Sequence, residues 1–594
     1  MAVNLSFNDV FKYIGDTGFY QLLLYFVVCL PSFFDGLQNM SANFFSAPMD
    51  HWCKISRLEN FSFETQKKVA IPYVEDESTE HQSCQMYDLY YDNLTDDQIL
   101  NWDRNITRNT SLIDCTEWIF DQSEFISTIN SKYNLVCDRS WMAELTSTVY
   151  MGGVLVGSVI SGLISDRFGR KLPMLMFMIG YFLFALLQAF APNYTLFVVF
   201  RFFASVSSMS TYLCTFVIVM EILGPSHYVL LAVTFQIFFS VGFMLIPGIA
   251  YSIRDHEILQ IAITLPLASL VPCIWLVPES PRWLISQGKY KKAEKILHNI
   301  SDVNRVDFPE EVTWINKSED GHEEKQERGK WADICNSRTL CTELALIYIN
   351  WFTVSLVYYG VSYNAGAFGD VFLNTFLSGL IEIPSNLFAY LVLERCGRRW
   401  PNGGILLATA VIELSLVPIL LVRPDMSELL TALSTLGKGA ITFAFSSIYL
   451  YTSELFPTPI RHLAVGSSSV FARIGSMAAP YLGDSLEEIW LPMPSVIFAV
   501  ISAITGSLVL LLPETKGHKI PDTIEEAEKI GRSRRKRKLI IDSEILCEVA
   551  AVKREREDDC LNKEFGENMI NERVSSTSEI RLEDVDEDGL ITRL

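Results

Sequence analysis

Basic residues are few relative to acidic ones, 48 Lys and Arg against 69 Asp and Glu, for a formal charge of −21. That balance excludes a nucleic-acid binder, which needs a basic face to neutralise phosphates. Charge of either sign is thin as well, at 20% of 594 residues, where soluble domains carry about 25%. Glycine (32) and proline (23) are too sparse for a collagen-like fibre, and 12 cysteines in so long a chain do not make a disulfide scaffold. No G-x-x-x-x-G-K-S/T phosphate loop occurs, and the 8 His include no H-E-x-x-H metal pair, so neither direct ATP use nor a zinc hydrolase is indicated, and no cofactor or metal is expected. What the chain has in quantity is apolar surface: 49% hydrophobic residues, 38 Phe, 23 Tyr and 11 Trp, with a mean hydropathy of +0.24. Disorder throughout is thereby excluded, and a membrane protein is left.

A window of about 19 residues, enough to cross roughly 30 Å of hydrocarbon, finds spans at 20–42, 142–164, 172–191, 196–217, 228–253 and 257–277. A second group lies at 342–361, 370–393, 401–422, 427–450, 463–482 and 492–512. Span one is read as retained, since no short apolar segment with a small-residue cleavage site precedes it. The expectation is an all-α membrane protein: a 1–19 N-terminus, a six-helix half over 20–277, a 278–341 linker, a second half over 342–512 and a 513–594 tail.

Lys and Arg in the short loops set orientation. Arg167, Arg170 and Lys171 follow span two, and Arg395, Arg398 and Arg399 follow span eight, so both loops and both termini are expected in the cytoplasm. The long loop 43–140 is then outside. Its Cys53, Cys84, Cys115 and Cys137 read as two disulfides with three pairings open. Asn60, Asn93, Asn105 and Asn109 each precede Ser or Thr by two residues and are candidate glycosylation sites. The loop holds 17 Asp or Glu against 8 Lys or Arg, a solvated acidic surface.

The two groups of six repeat each other. Asp166-Arg-Phe-Gly-Arg170 after span two is echoed by Glu394-Arg-Cys-Gly-Arg398, an offset of 228; Glu221 is echoed by Glu454 at 233, and Glu279 by Glu514 at 235. An internal duplication into two parallel six-helix halves resembles a major facilitator transporter. An acid, a glycine and a basic pair at a helix end can form charge-assisted links between helices that break when the halves rock. Asp166 with Arg170, and Glu394 with Arg398, are the expected gating pairs; Arg167, Glu221, Glu279, Arg282, Glu454 and Arg461 extend that network.

Asn134-Leu-Val-Cys-Asp-Arg-Ser-Trp141, Pro278-Glu-Ser-Pro-Arg282, Tyr451-Thr-Ser-Glu-Leu-Phe-Pro457 and Leu512-Pro-Glu-Thr-Lys-Gly517 together resemble solute carrier family 22, the organic ion transporters. The two Pro-Glu motifs also occur in sugar porters; the large cysteine-bearing loop running into Cys-Asp-Arg-Ser-Trp is the specific feature, and the likeness covers about residues 10–530. Four outer cysteines, where members often have six, are a departure.

Ionisable residues inside spans default to functional roles, and Asp35, Glu382, Glu413, Lys438 and Arg473 are such residues. The resemblance implies that cation-selective members carry an acid at position 473, whereas anion and carnitine-type members carry Arg, whose fork matches a carboxylate. Glu382 is the candidate counter-charge for an ammonium. Trp351, Tyr358 and Tyr359 recur at seven or eight residues on span seven and are expected to share a face. Tyr212, Phe239 and Phe445, on spans that line the cavity in the family, and Gln236, at a matching cavity position, complete the expected site. Glu413 and Lys438 read as structural. Asp35 with Asn39 is a candidate sodium site.

The expected function is therefore a plasma-membrane secondary transporter, not an enzyme, that moves small zwitterionic or amine-containing metabolites of carnitine-like, β-alanine-like or aminoacyl-amine type by alternating access. Organic anion exchange and polyspecific organic cation uniport are the alternatives; a sugar porter or a non-transporting receptor stands behind them. Expected partners are the small organic ion, the bilayer, sodium or an exchange counter-ion, and a PDZ domain at Ile591-Thr-Arg-Leu594, with no nucleic acid. Residues 532–538 (RSRRKRK counted from Arg532) suit anionic lipid heads, and Lys289 to Leu297 reads as an amphipathic helix.

Overall fold

The computed structural model describes the chain except residues 1–2, 6–9, 16–17, 73–82, 103–109, 224–227, 310–311, 315–330, 367–368, 488, 518–520, 522 and 529–594. Twelve helical segments follow the twelve expected spans. In the first set they are α1 (Phe19–Met40), α2 (Trp141–Phe168), α3 (Lys171–Ala189), α4 (Tyr194–Ile222), α5 (Tyr228–Ser252) and α6 (His256–Thr264). The second set is α7 (Arg338–Tyr363), α8 (Val371–Cys396), α9 (Arg399–Val422), α10 (Ser427–Leu455), α11 (Thr458–Glu487) and α12 (Met493–Val509). Among the described residues nine helices are long and apolar enough to cross a membrane, and α6 and α12 are shorter apolar ones. Helix α6 gives way to a 3-10 stretch, Leu265–Leu270, because Pro266 and Pro272 each remove a backbone donor.

The duplication is visible in the packing. Helix α1 lies on α5 as α7 lies on α11; α4 packs on α2 and α3 as α10 packs on α8 and α9; α3 meets α6 as α9 meets α12. The halves join where α2 meets α11 and α5 meets α8, a pair of contacts that the same two-fold relation exchanges. Side-chain contacts close the seam at the end of the bundle nearest residues 43–140, here the capped end. Phe372 of α8 is stacked by Phe44 at 5.4 Å and by Phe125 at 5.5 Å, and met edge-on by Tyr251 at 5.5 Å. Asn43 donates to the Ser362 carbonyl at 2.8 Å, and Thr148 to that of Met477 at 2.9 Å.

The cap has a small core of its own, with Trp52, Ile55, Leu58, Val69, Tyr91 and Ile99 buried together. Two antiparallel strand pairs, His51–Cys53 with Trp118–Phe120 and Gln85–Tyr87 with Leu112–Asp114, hold its halves. The pairing left open by the sequence is Cys53–Cys115 and Cys84–Cys137. Asn60 and Asn93 are exposed, while Asn105 and Asn109 lie outside the described residues.

At the opposite, charged end, the amphipathic stretch forms a helix over Tyr290–Asn304. Its Leu297 and Ile300 bury against Val10, Phe11 and Ile14, and Val3–Leu5 pairs in parallel with Val312–Trp314. Asn304 ties this layer to the base of α1, accepting from the Tyr20 N–H at 3.0 Å and donating to Gln21 Oε1 at 2.7 Å.

Each half is clasped at this end by an arginine. Arg170 reaches Asp166 (2.7 Å) and Glu221 (3.2 Å), while Glu279 accepts the N–H groups of Arg170 (2.7 Å) and Lys171 (3.2 Å). In the second half Arg398 binds Glu454 at 2.8 Å, and Glu514 accepts the N–H groups of Arg398 (2.8 Å) and Arg399 (3.1 Å). Two expectations need correcting. Glu394 is exposed and is not the partner of Arg398, whose remaining nitrogen donates to the Leu393 carbonyl at 2.6 Å, one of the unpaired acceptors at a helix end. The clasps also join helices within one half, not across the seam, so rocking of the halves does not require them to break. Arg167 and Arg282 are exposed, and Arg461 donates to the Phe456 carbonyl at 3.2 Å.

Gly169 and Gly397 make the clasps possible. Their φ values of 98° and 93° suit glycine alone, and a Cβ on Gly169 would sit 2.4 Å from Glu279 Oε2. Gly169→Ala and Gly397→Ala should each destabilise by at least about 1 kcal/mol, read as a lower midpoint for loss of the monodisperse peak after heating the detergent-purified protein.

Candidate functional site

Burying an ionisable side chain at membrane depth is tolerated where a partner or a ligand offsets its desolvation. Among the described residues of the spans, Asp35, Arg201, Glu343, Glu382, Glu413, Lys438 and Arg473 are each less than a tenth exposed, with Arg201 and Glu343 within two turns of a helix start.

Two of them satisfy each other. Lys438 of α10 lies 3.1 Å from the Glu382 carboxylate of α8, donates to Ser362 Oγ at 2.6 Å and sits over the Tyr358 ring. Glu382 also accepts from the Tyr358 hydroxyl and, at 2.7 Å, from Ser240 of α5. Four helices from both halves thus meet at one carboxylate. The expectation that Glu382 stands ready as counter-charge to an ammonium is corrected by this geometry, because Lys438 already fills that role. Glu413 packs against Gly437, between α9 and α10, consistent with a structural part.

Arg473 is placed differently. It lies halfway along α11 and 7% exposed; its guanidinium meets the Met209 sulfur of α4 at 4.0 Å and the Tyr359 hydroxyl, while its Nε is buried without an acceptor. Tyr359, Tyr449 and Asp35 are near enough to interact with its charge. Asp35 of α1 accepts from Ser208 of α4, so an acid of the first half faces a cation of the second. One turn on, Asn39 Oδ1 is buried without a partner; the sodium expectation at Asp35 and Asn39 rests on these two oxygens alone.

The aromatic residues divide between the two clusters. Trp351 donates to Thr452 at 2.9 Å and packs edge-on against Tyr449, and Tyr358 lies 5.1 Å from Phe445, so Trp351 and Tyr358 both face α10. Tyr359 turns to Arg473; the three residues do not share one face, since adjacent positions diverge by about 100° on a helix. Tyr212 is half-buried against Phe235 at 5.0 Å and within reach of the Arg473 and Asp35 charges. Gln236 and Phe239 are half-buried on α5.

Arg201 of α4 went unrecognised in the sequence, although a basic residue inside span four was the available signal. It is 2% exposed, stacked on the rings of Tyr150 (5.0 Å) and Phe45 (5.6 Å).

A twelve-helix bundle of two duplicated halves with charged side chains converging at mid-depth is a major facilitator transporter, and the comparisons with known proteins agree. The chain matches the family of sugar (and other) transporters over residues 99–527. The partially occluded inward-open form of the xylose transporter XylE from E. coli superposes with a TM-score of 0.54 at 14% identity, covering 84% of this chain and 99% of that one. Among curated proteins, an organic cation transporter protein of Drosophila melanogaster is 33% identical over 538 residues, spanning 89% of this chain and 95% of the relative. The human organic cation/carnitine transporter 2 is 32% identical (89% and 96%), as is rat solute carrier family 22 member 2 (89% and 96%). The chain belongs to solute carrier family 22, the organic cation/carnitine transporters, and is a multi-pass membrane transporter of organic ions.

The Glu382–Lys438 pair makes a direct prediction. Lys438→Met, leaving a buried carboxylate unpaired, should destabilise by about 3–5 kcal/mol, and adding Glu382→Gln should recover most of the loss. Thermal midpoints of the two single variants and the double variant, combined as a mutant cycle, measure the coupling; additive losses would refute it.

Proposed function

We propose that this chain works at the plasma membrane, with both termini in the cytoplasm, as a secondary transporter that carries small zwitterionic or amine-containing metabolites by alternating access. Its substrates are of the carnitine, β-alanine or aminoacyl-amine kind. The observation that supports this reading is Arg473, a buried guanidinium of the second half whose fork has no carboxylate at ion-pair distance among the described residues and which faces Asp35 of the first. A substrate carboxylate suits that fork, and an ammonium suits the tyrosine faces of Tyr212, Tyr359 and Tyr449 with Asp35 behind them. Transport energy then comes from a gradient of sodium or from an exchanged counter-ion. The carboxyl-terminal Ile591-Thr-Arg-Leu594, outside the described residues, is suited to capture by a PDZ domain.

A second reading, uniport of permanent organic cations, is favoured by the names of the relatives. The two separate in one experiment. Tracer uptake of carnitine, β-alanine, tetraethylammonium and a dicarboxylate, with and without sodium, should show a zwitterion taken up. Arg473→Ala should reduce that uptake by roughly ten- to a hundred-fold at unchanged surface protein, as expected for one lost charged hydrogen-bonding partner. Uptake of tetraethylammonium alone, indifferent to Arg473→Ala, would refute the zwitterion reading.

A further inference from the structure

The ionic inventory of the bundle leaves one cation over. Among the described residues Lys438 is matched by Glu382, whereas Arg473 and Arg201 have no carboxylate at ion-pair distance; Arg473 is the fork already assigned to the substrate, which leaves Arg201. Arg201 has no acidic side chain at ion-pair distance and no hydrogen bond among the described residues, and its Nε is buried without an acceptor. Two aromatic faces, Tyr150 of α2 and Phe45 beyond α1, are what the structure sets against it. Cation–π stacking of this kind recovers about 0.5–2 kcal/mol each, far short of what desolvating a charge costs. Stacking also leaves the in-plane N–H fork unused, and the fork is the part of a guanidinium that grips a carboxylate.

Position gives this spare cation a context. Arg201 precedes Met209, the residue under the Arg473 guanidinium, by eight positions on α4, or about 12 Å along the helix towards the capped end at 1.5 Å per residue. Two tyrosines of α7 span the same depth: Tyr363 ends the helix beside Ser362, which is bonded to Asn43 at the capped end, and its ring is 5.8 Å from that of Tyr359, one turn deeper and against Arg473. The series Arg201, Tyr363, Tyr359, Arg473 runs from the capped end to mid-depth with positive charge at both ends.

We infer that Arg201 is a second carboxylate-recognition site, which receives the anionic group of the transported ion when the bundle is open at the capped end and passes it along Tyr363 and Tyr359 to Arg473. This assignment rests on the proposal that the substrate owns a carboxylate. In the present structure Arg201 is 2% exposed, beneath the rings of Tyr150 and Phe45, and the capped end above is closed by the aromatic contacts around Phe372 and the Asn43–Ser362 bond. A side chain serving only to pack between Tyr150 and Phe45 would have no use for a permanent charge.

The test uses the full chain purified in detergent and, in parallel, expressed in cells. Sodium acetate is the binding probe, sodium chloride and choline chloride are the controls, and carnitine is the transport probe. In an Arg473→Ala background, where the central fork is gone, acetate should still raise the thermal midpoint. Adding Arg201→Gln should abolish that rise, and Arg201→Lys, which keeps the charge and loses the fork, should at least halve it. For carnitine applied outside, Arg201→Lys alone should raise KM about ten-fold at little cost in kcat, and it remains informative if the Gln variant does not reach the membrane. The site is overturned if the acetate effect vanishes with Arg473→Ala alone, if it survives the double replacement, or if sodium chloride reproduces it. Its failure is distinct from failure of the zwitterion reading: an unchanged carnitine KM in Arg201→Lys sinks the site alone, whereas no wild-type uptake of any carboxylate-bearing tracer, with the acetate shift intact, sinks the substrate assignment.

Discussion

Removing charge from water inside a bilayer is the cost around which this molecule is arranged. Each ionisable group at mid-depth must find an opposite charge, a set of hydrogen bonds, an aromatic face or a ligand, and the search for those partners decides which helices touch. Glu382 shows the principle at its fullest: one carboxylate draws Lys438 from α10, Tyr358 from α7 and Ser240 from α5, across both halves. Where the demand is met by the protein, as here, the site is mechanical. Where it is not met by a carboxylate at ion-pair distance, as at Arg473, the fork is the feature on which the proposed substrate contact rests.

Outside the hydrocarbon the economy is different, and the arginine clasps exploit it. Arg170 and Arg398 each bind an acid two helices away, while Glu279 and Glu514 accept backbone N–H groups at the starts of α3 and α9. Such carboxylates serve as helix caps and complement the positive end of the helix dipole. Because both copies close within their own half, each set of six helices is stiffened as a body, and the seam between the halves is carried by other contacts, chiefly α2 on α11 and α5 on α8.

Much of this was legible in the sequence because lipid imposes a length. Twelve apolar windows stood out, and the repeat of acid, glycine and arginine at nearly constant offset exposed the duplication. The helices run beyond the windows, α2 to Phe168 and α11 from Thr458, since backbone hydrogen bonding continues into the polar flanks where hydropathy no longer reports it. Partner choice was harder to read. Glu394 stands four residues before Arg398 as Asp166 does before Arg170, yet a free carbonyl and Glu454 compete better for Arg398. Lys438 and Glu382 are 56 positions apart, and nothing local announces their pairing. The disulfide pattern was likewise open, and strand pairing alone would mislead: Cys115 hydrogen-bonds across the ladder to Cys84, yet the bridges are Cys53–Cys115 and Cys84–Cys137. Arg201 was missed because a single arginine flanked by Leu196 to Phe200 and by Phe202, Phe203 and Ala204 barely lowers the hydropathy of its window, and its aromatic partners Tyr150 and Phe45 are distant in sequence.

The collar of rings around Phe372 has a thermal consequence. Phe44, Phe125 and Tyr251 come from the first half and Phe372 from the second, so any state in which the halves part at the capped end must wet these four aromatic surfaces. Hydrating apolar surface carries a positive heat capacity. The enthalpy of that parting therefore rises with temperature, its van't Hoff plot curves, and the balance between shut and parted forms passes through an extremum instead of drifting one way on warming.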